Sequence, residues 1–116
     1  MKVKELVEIL EGEVLSGDDK LDMEVETIGA ADMLSDILAL SKPGMIMLTG
    51  HTSPQSIRTA LVTDLLGLVI VRGKEMSAQS IEMARENNFL VIKTKSYMYS
   101  SCGKLYKHNL RGVDES

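Results

Sequence analysis

The chain lacks several features that identify common classes of protein. Its single cysteine cannot form an internal disulfide, which fits the reducing conditions of the cytoplasm. It has no apolar run of about 18 residues, the length of a membrane span, and acidic residues interrupt the amino-terminal stretch MKVKELVEILEG. We therefore expect a cytoplasmic protein with no signal peptide and no membrane partner.

Short motifs of catalytic and metal sites are also missing. The sequence contains no P-loop string, no G-x-G-x-x-G, no G-x-S-x-G, no Cys-x-x-Cys and no close pair of histidines. His51 has no evident carboxylate to orient it as a base. Cys102 falls at helical spacing with Met98 and Leu105, which favours an apolar packing role over a nucleophile. We therefore predict a protein that is not an enzyme, binds no metal and needs no cofactor.

Basic residues are scarce in the first third of the chain. Residues 1–41 carry 3 basic and 11 acidic side chains, whereas residues 42–116 carry 10 basic and 6 acidic ones. The net charges of −8 and +4 give the −4 of the whole chain. This overall acidity argues against nucleic-acid binding, which depends on many Lys and Arg side chains. Two interpretations of this charge distribution stay open. The basic second part could bind a small anion, or the acidic first part could simply be well solvated.

Apolar strands alternating with helices dominate the second part of the sequence. Uninterrupted apolar runs at residues 45–48, 68–71 and 90–92 are each followed by a helical pattern. Strands of this kind are covered on both faces, as in a parallel sheet with right-handed crossovers. We predict one α/β domain over residues 1–116, a small mostly parallel sheet flanked by helices, with a polar tail that frays from about residue 109.

Weaker patterns precede these three units. An apolar stripe over residues 3–10 predicts an amphipathic helix, and residues 26–29 predict a short strand. Asp32 is the expected N-cap of a second helix. The residues expected on the buried face of that helix are Met33, Leu34, Ile37 and Leu38.

Polar and basic side chains follow the three apolar strands at their carboxyl ends. Ligands of open parallel sheets bind at that edge, where the following helices also point their partly positive N-termini. The predicted ligand-binding residues are Thr49, Gly50, His51, Thr52, Ser53, Arg72, Gly73, Lys74, Thr94 and Lys95. A structural explanation stays open, because Ser53, Ser77 and Ser96 are also the expected caps of the three helices that follow.

The second part of the chain resembles the DRTGG domain family. The resemblance is carried by the stretch PGMIMLTGHTSPQSIRTALVTDLLGLVIVRGKEMSAQSIEMARENNFLVIKTKSYMYSSCGKLY and extends more weakly through IGAADMLSDILAL. Such domains occur beside CBS domains and in the longer phosphotransacetylases, and they are similar in fold to the N-terminal domain of HPr kinase/phosphorylase. The resemblance implies a small α/β regulatory module without catalytic machinery of its own.

The motif that names the family is altered in this chain. His51 and Thr52 stand where the family has Asp-Arg, and Gly50 and Gly73 are the glycines that remain. Val71, Arg72 and Gly73 stand where the resemblance places the Thr-Gly-Gly of the family. Both altered pieces lie at the strand ends that the parallel-sheet pattern identifies as a binding edge.

These observations predict a non-catalytic regulatory module that senses a small anionic metabolite, with a nucleotide as the first choice. The alternative is a protein–protein adaptor that binds no small molecule and docks on a partner enzyme. We also expect a homodimer, because the short sheet has open edges and Tyr97, Tyr99 and Tyr106 fall outside the apolar stripe of the last helix.

Overall fold

Residues 1–115 of the chain are described by a computed structural model. The strands are β1 (Glu13–Ser16), β2 (Ile28–Ala30), β3 (Ile46–Thr49), β4 (Gly67–Ile70) and β5 (Leu90–Lys93). The helices are α1 (Val3–Leu10), α2 (Leu34–Leu40), α3 (Pro54–Val62), α4 (Ala78–Glu86) and α5 (Met98–Lys107), with a 3-10 turn at Asp18–Lys20.

The five strands form one sheet in the order β1-β5-β4-β3-β2. Strands β2 to β5 are parallel, and β1 adds an antiparallel edge next to β5. The sheet separates two apolar clusters. Helices α1 and α5 contribute to one of them, and α2, α3 and α4 contribute to the other. The predicted α/β fold with a small, mostly parallel sheet is therefore confirmed.

The pairing register brings three strand ends together at one edge of the sheet. Thr49 of β3 pairs with Ile70 of β4, which pairs with Lys93 of β5. Every residue of β3 and β4 is buried, which explains why their sequences are continuously apolar. Within residues 1–115, none of the helices has both the length and the apolar character that crossing a membrane requires.

The region around α2 differs from its prediction. Met33, not Asp32, occupies the N-cap position, and Met33 and Leu38 are 63% and 56% exposed. The helix is short and buries only Ile37, because it covers the edge of the sheet rather than its centre. The short strand also begins later than predicted, at Ile28, where it pairs with β3.

The carboxyl-terminal tail does not fray as predicted. Leu110 is buried, the Ile28 amide donates to the Arg111 carbonyl, and the Val113 amide donates to the Ile28 carbonyl. These bonds satisfy backbone groups on the outer edge of β2 that would otherwise be open to pairing. The polar composition of the tail concealed this edge-covering role.

Candidate functional site

A cavity of about 290 Å³ opens at the carboxyl ends of β2, β3 and β4. We call it the strand-end cavity. It is lined by Asp32, Gly50, His51, Thr52, Ser53, Arg72 and Lys74. Six of the ten predicted ligand-binding residues therefore line one cavity, and the seventh lining residue, Asp32, is one that the sequence analysis did not select.

The β3 end of the cavity is formed by a tight turn into α3. The buried Thr49 hydroxyl accepts a hydrogen bond from the His51 amide at 3.1 Å. Ser53 occupies the N-cap position, and Pro54 begins the helix as predicted. However, Ser53 makes no side-chain cap bond, because its hydroxyl lies 3.1 Å from Nδ1 of His51. In the first turn of α3, Pro54 has no amide hydrogen and the Ser56 amide donates to the Ser53 carbonyl at 3.0 Å. The Gln55 amide is therefore the first-turn donor that has no partner within residues 1–115.

The β4 end of the cavity is formed by two consecutive residues in the left-handed region. Arg72 and Gly73 have φ values of 66° and 62°. Their amides donate to the Ser96 and Thr94 carbonyls, both at 2.8 Å. A non-glycine residue in this conformation costs about 1–2 kcal/mol, so Arg72 is held in a strained backbone geometry.

The guanidinium of Arg72 packs over Gly50. A Cβ atom added at Gly50 would lie 2.7 Å from Arg72 Nη2 and 3.2 Å from Asp32 Oδ1. The absence of a side chain at position 50 therefore makes room for the guanidinium. Oδ1 of Asp32 accepts a hydrogen bond from the Gly50 amide at 2.7 Å, so a cationic and an anionic group flank the same glycine.

Asp32 could have been identified by the rule that selected the other site residues. It follows β2 at the same edge of the sheet at which Gly50 follows β3. The helix-capping prediction obscured this, since Asp is common at N-caps and β2 has only three residues.

Thr94 and Lys95 do not join the strand-end cavity. Thr94 is buried, where its hydroxyl donates to the Leu10 carbonyl at 2.7 Å and accepts from the Ser96 amide. Lys95 lines a separate cavity of about 330 Å³ beside Glu11 and Glu13. The predicted ligand-binding residues are therefore divided between two cavities, because the turn after β4 hydrogen-bonds to the chain after β5.

The cations of the strand-end cavity are not neutralised by ion pairs. Among residues 1–115, the ion pairs join the Met1 amino group to Glu24, Lys4 to Asp22 and Lys93 to Glu75. Arg72 and Lys74 are both exposed and are absent from these pairs. Asp32 is the one carboxylate among the lining residues, so the cavity carries a local excess of positive charge in an acidic chain.

The side chains at the cavity do not form a catalytic triad. In such a triad the imidazole lies between a nucleophile and a carboxylate. Here Ser53 contacts His51 within a local turn, while the Asp32 carboxylate binds the Gly50 amide. In the part of the chain that the structure describes, no cluster of three or more acidic, His or Cys side chains could hold a metal ion.

Cys102 packs against the apolar cluster that includes Leu105. Burial raises the pKa of the Cys102 thiol above its ordinary value. The thiolate is the nucleophilic form of cysteine, so this environment disfavours a reactive thiol. The half-buried position of Cys102 agrees with the packing role inferred from its spacing.

Comparison with known families and solved structures identifies a family and similar folds, of which one structure is described below. The model of the DRTGG domain family matches residues 5–107. The fold is also similar to the crystal structure of the CBS and DRTGG domains of the regulatory region of Clostridium perfringens pyrophosphatase, complexed with the activator diadenosine tetraphosphate. The TM-score is 0.74 at 18% sequence identity, covering 97% of this chain and 48% of that chain. This chain thus spans about half the length of that one. A comparison with curated protein sequences found no match.

Proposed function

The chain belongs to the DRTGG domain family of regulatory domains, and on that basis we propose that it is a non-catalytic cytoplasmic module that senses a small anionic ligand, first of all a nucleotide. We place the ligand in the strand-end cavity. The observation that carries the proposal is the pair of cations, Arg72 and Lys74, which line the cavity without ion pairs within residues 1–115.

The chemistry of the cavity suits a phosphate group. Phosphate oxygens accept hydrogen bonds from a guanidinium, from hydroxyl groups and from the free amides of a helix N-terminus. Arg72, Thr52 and Ser53 supply the first two kinds of donor, and the Gln55 amide in the first turn of α3 supplies the third.

The size of the cavity favours one part of a nucleotide. Its volume of about 290 Å³ lies near the lower end of small-molecule pockets, which run from about 300 to 1,000 Å³. We therefore expect the phosphate-bearing end of the ligand to occupy the cavity while the rest extends over its rim. The activator named for the pyrophosphatase regulatory region, diadenosine tetraphosphate, supports the nucleotide class.

The proposal predicts a thermal shift with nucleotides that depends on the cavity cations. A ligand at 100 times its dissociation constant adds about 2.7 kcal/mol of stability. Arg72→Ala or Lys74→Ala should weaken binding roughly ten- to a hundredfold, because a charge-assisted contact is worth about 1.5–3 kcal/mol. The melting temperature without ligand should hardly change, since exposed charges contribute little to folding.

Lys107→Ala is the matched control, because this exposed cation lies at the end of α5, far along the chain from the cavity residues. Equal binding by the wild type and by both cavity variants would place the ligand elsewhere. A screen of nucleotides and phosphorylated metabolites at millimolar concentration that gave no shift at all would reject the proposal.

The second candidate function is a protein–protein adaptor, and the exposed aromatic surface of α5 favours it. Tyr99 is 92% exposed, and Tyr97 and Tyr106 are also exposed. Tyrosine is enriched at protein interfaces, and the DRTGG domain of the solved relative belongs to the regulatory region of an enzyme. An adaptor would bind a partner enzyme through α5 and would give no thermal shift with anions.

A further inference from the structure

We propose that Asp32 selects ligands that carry neighbouring hydroxyl groups beside their phosphate, so that the strand-end cavity prefers a ribonucleotide to a dideoxynucleotide or a simple anion. This inference rests on the proposed function of the cavity. It assigns to Asp32 the role of distinguishing between ligands, and it narrows the ligand class to nucleotides with an intact ribose.

The carboxylate of Asp32 is oriented by the backbone. Its Oδ1 atom accepts the Gly50 amide at 2.7 Å, while no donor within residues 1–115 bonds to Oδ2. The residue is exposed at the cavity wall. One oxygen is therefore anchored, and the other is available to a ligand.

A free carboxylate in an anion site needs a compensating interaction. Asp32 and Arg72 flank Gly50 without forming an ion pair with each other. A simple anion on Arg72 would be repelled by this carboxylate at close range. A ligand that donates hydrogen bonds to Asp32 removes the repulsion and gains contacts, since an ionised carboxylate can only accept.

Ribose hydroxyls are suitable donors for this position. In α/β sheets, an acidic side chain at a neighbouring strand end commonly binds the ribose of a nucleotide whose phosphates lie at a helix N-terminus. Here Asp32 follows β2, and the α3 N-terminus follows the adjacent β3. The placement of carboxylate, cations and helix start thus matches a phosphate and a ribose on adjoining strand ends.

The test compares AMP, 2′,3′-dideoxy-AMP and inorganic pyrophosphate by calorimetric titration of the full chain. The wild type should bind AMP roughly tenfold or more tightly than its dideoxy analogue, the factor expected for hydrogen bonds to a charged group. Asp32→Asn should reduce this ratio to near one, because an amide oxygen can still accept from Gly50 but carries no charge. Asp36→Asn is the matched control, an exposed acid in the first turn of α2, and should keep the wild-type ratio.

The outcomes separate this inference from the proposed function. If AMP, dideoxy-AMP and pyrophosphate bind equally well and depend on Arg72, the anion site stands and ribose selection is overturned. The same holds if Asp32→Asn tightens all three probes to the same extent, since Asp32 would then act only as a repelling charge. If none of the three binds at millimolar concentration, both proposals are overturned.

Discussion

Two residues determine the shape of the strand-end cavity. Gly50 lacks the side chain that would collide with the guanidinium of Arg72, and Arg72 adopts a backbone conformation that a glycine would adopt at little cost. The glycine therefore stands at position 50, under the guanidinium, whereas the position with positive φ, 72, is occupied by an arginine. A purely structural turn after β4 would be better served by glycine at both 72 and 73, so the arginine is best explained by its charge.

Arg72→Gly should therefore raise stability while weakening anion binding as much as Arg72→Ala does. We expect a gain of up to about 1 kcal/mol in the free energy of unfolding, which is the relieved strain less the extra entropy of an unfolded glycine. Urea unfolding with and without AMP measures both effects. Gly73→Ala serves as the control: its added Cβ would have no contact closer than 3.8 Å, so conformational strain alone should lower stability. A loss of stability in Arg72→Gly would contradict the strain argument.

At the scale of the secondary-structure elements, the three serines that were expected to cap helices differ in what their hydroxyl groups contact. Ser77 caps α4 as predicted, with its hydroxyl accepting the Ser80 amide at 3.1 Å. Ser53 is at the N-cap of α3, but its hydroxyl contacts His51. Ser96 is not a cap, because Tyr97 precedes α5 and the Ser96 hydroxyl accepts from Lys104. Helix α3, which begins at the strand-end cavity, therefore has no side-chain cap on its first turn.

Ser77→Ala and Ser53→Ala should differ in their effects. Loss of the Ser77 cap bond should cost about 1 kcal/mol of unfolding free energy. Ser53→Ala should cost clearly less, since no cap bond is lost, but should weaken nucleotide binding. Chemical denaturation measures the stability of each variant, and the thermal shift in the presence of AMP measures its nucleotide binding. Equal destabilisation by the two substitutions would show that Ser53 caps α3 in solution.

The sequence predicted the elements whose signals are local. The three apolar strands with their helices were identifiable because burial on both faces leaves a continuous apolar run. The exact start of β2 and the packing of the tail were harder to predict, because both depend on pairing between Ile28 and residues 111–113, which are far apart in the chain. The same long-range dependence concealed Asp32, whose partner is the amide of Gly50. The rule that ligands bind at the carboxyl ends of parallel strands selected six residues that line the strand-end cavity. It also selected Thr94 and Lys95, which lie outside that cavity, because the sequence does not show how the turn after β4 divides this edge of the sheet.

At the scale of the whole molecule, the apolar surface is unevenly covered. The tail covers part of the outer edge of β2, whereas the outer face of α5 presents Tyr97, Tyr99 and Tyr106 to solvent. Exposed tyrosines on one helix are typical of an interface, and two-fold dimers are the most frequent oligomers. We propose that α5 is the contact surface of a homodimer.

Sedimentation equilibrium at micromolar concentration tests the dimer. The wild type should have a mass above the 12.7 kDa of the single chain, and Tyr99→Glu should shift it toward that value. Val62→Glu is the matched control, because Val62 is a similarly exposed apolar side chain, 79% exposed, on α3. A wild-type mass of 12.7 kDa would reject the dimer, and an effect of the Val62 variant alone would move the interface to α3.

The central claim is that an anionic nucleotide binds at the carboxyl ends of β3 and β4, and an amide NMR titration with AMP tests it most directly. The account predicts saturable shifts concentrated at the backbone amides of Gly50, His51, Thr52, Ser53, Arg72, Gly73 and Lys74. In Arg72→Ala these shifts should need a roughly ten- to hundredfold higher AMP concentration. Shifts confined to the chain after β5, around Lys95, or the absence of any shift at millimolar AMP, would contradict it.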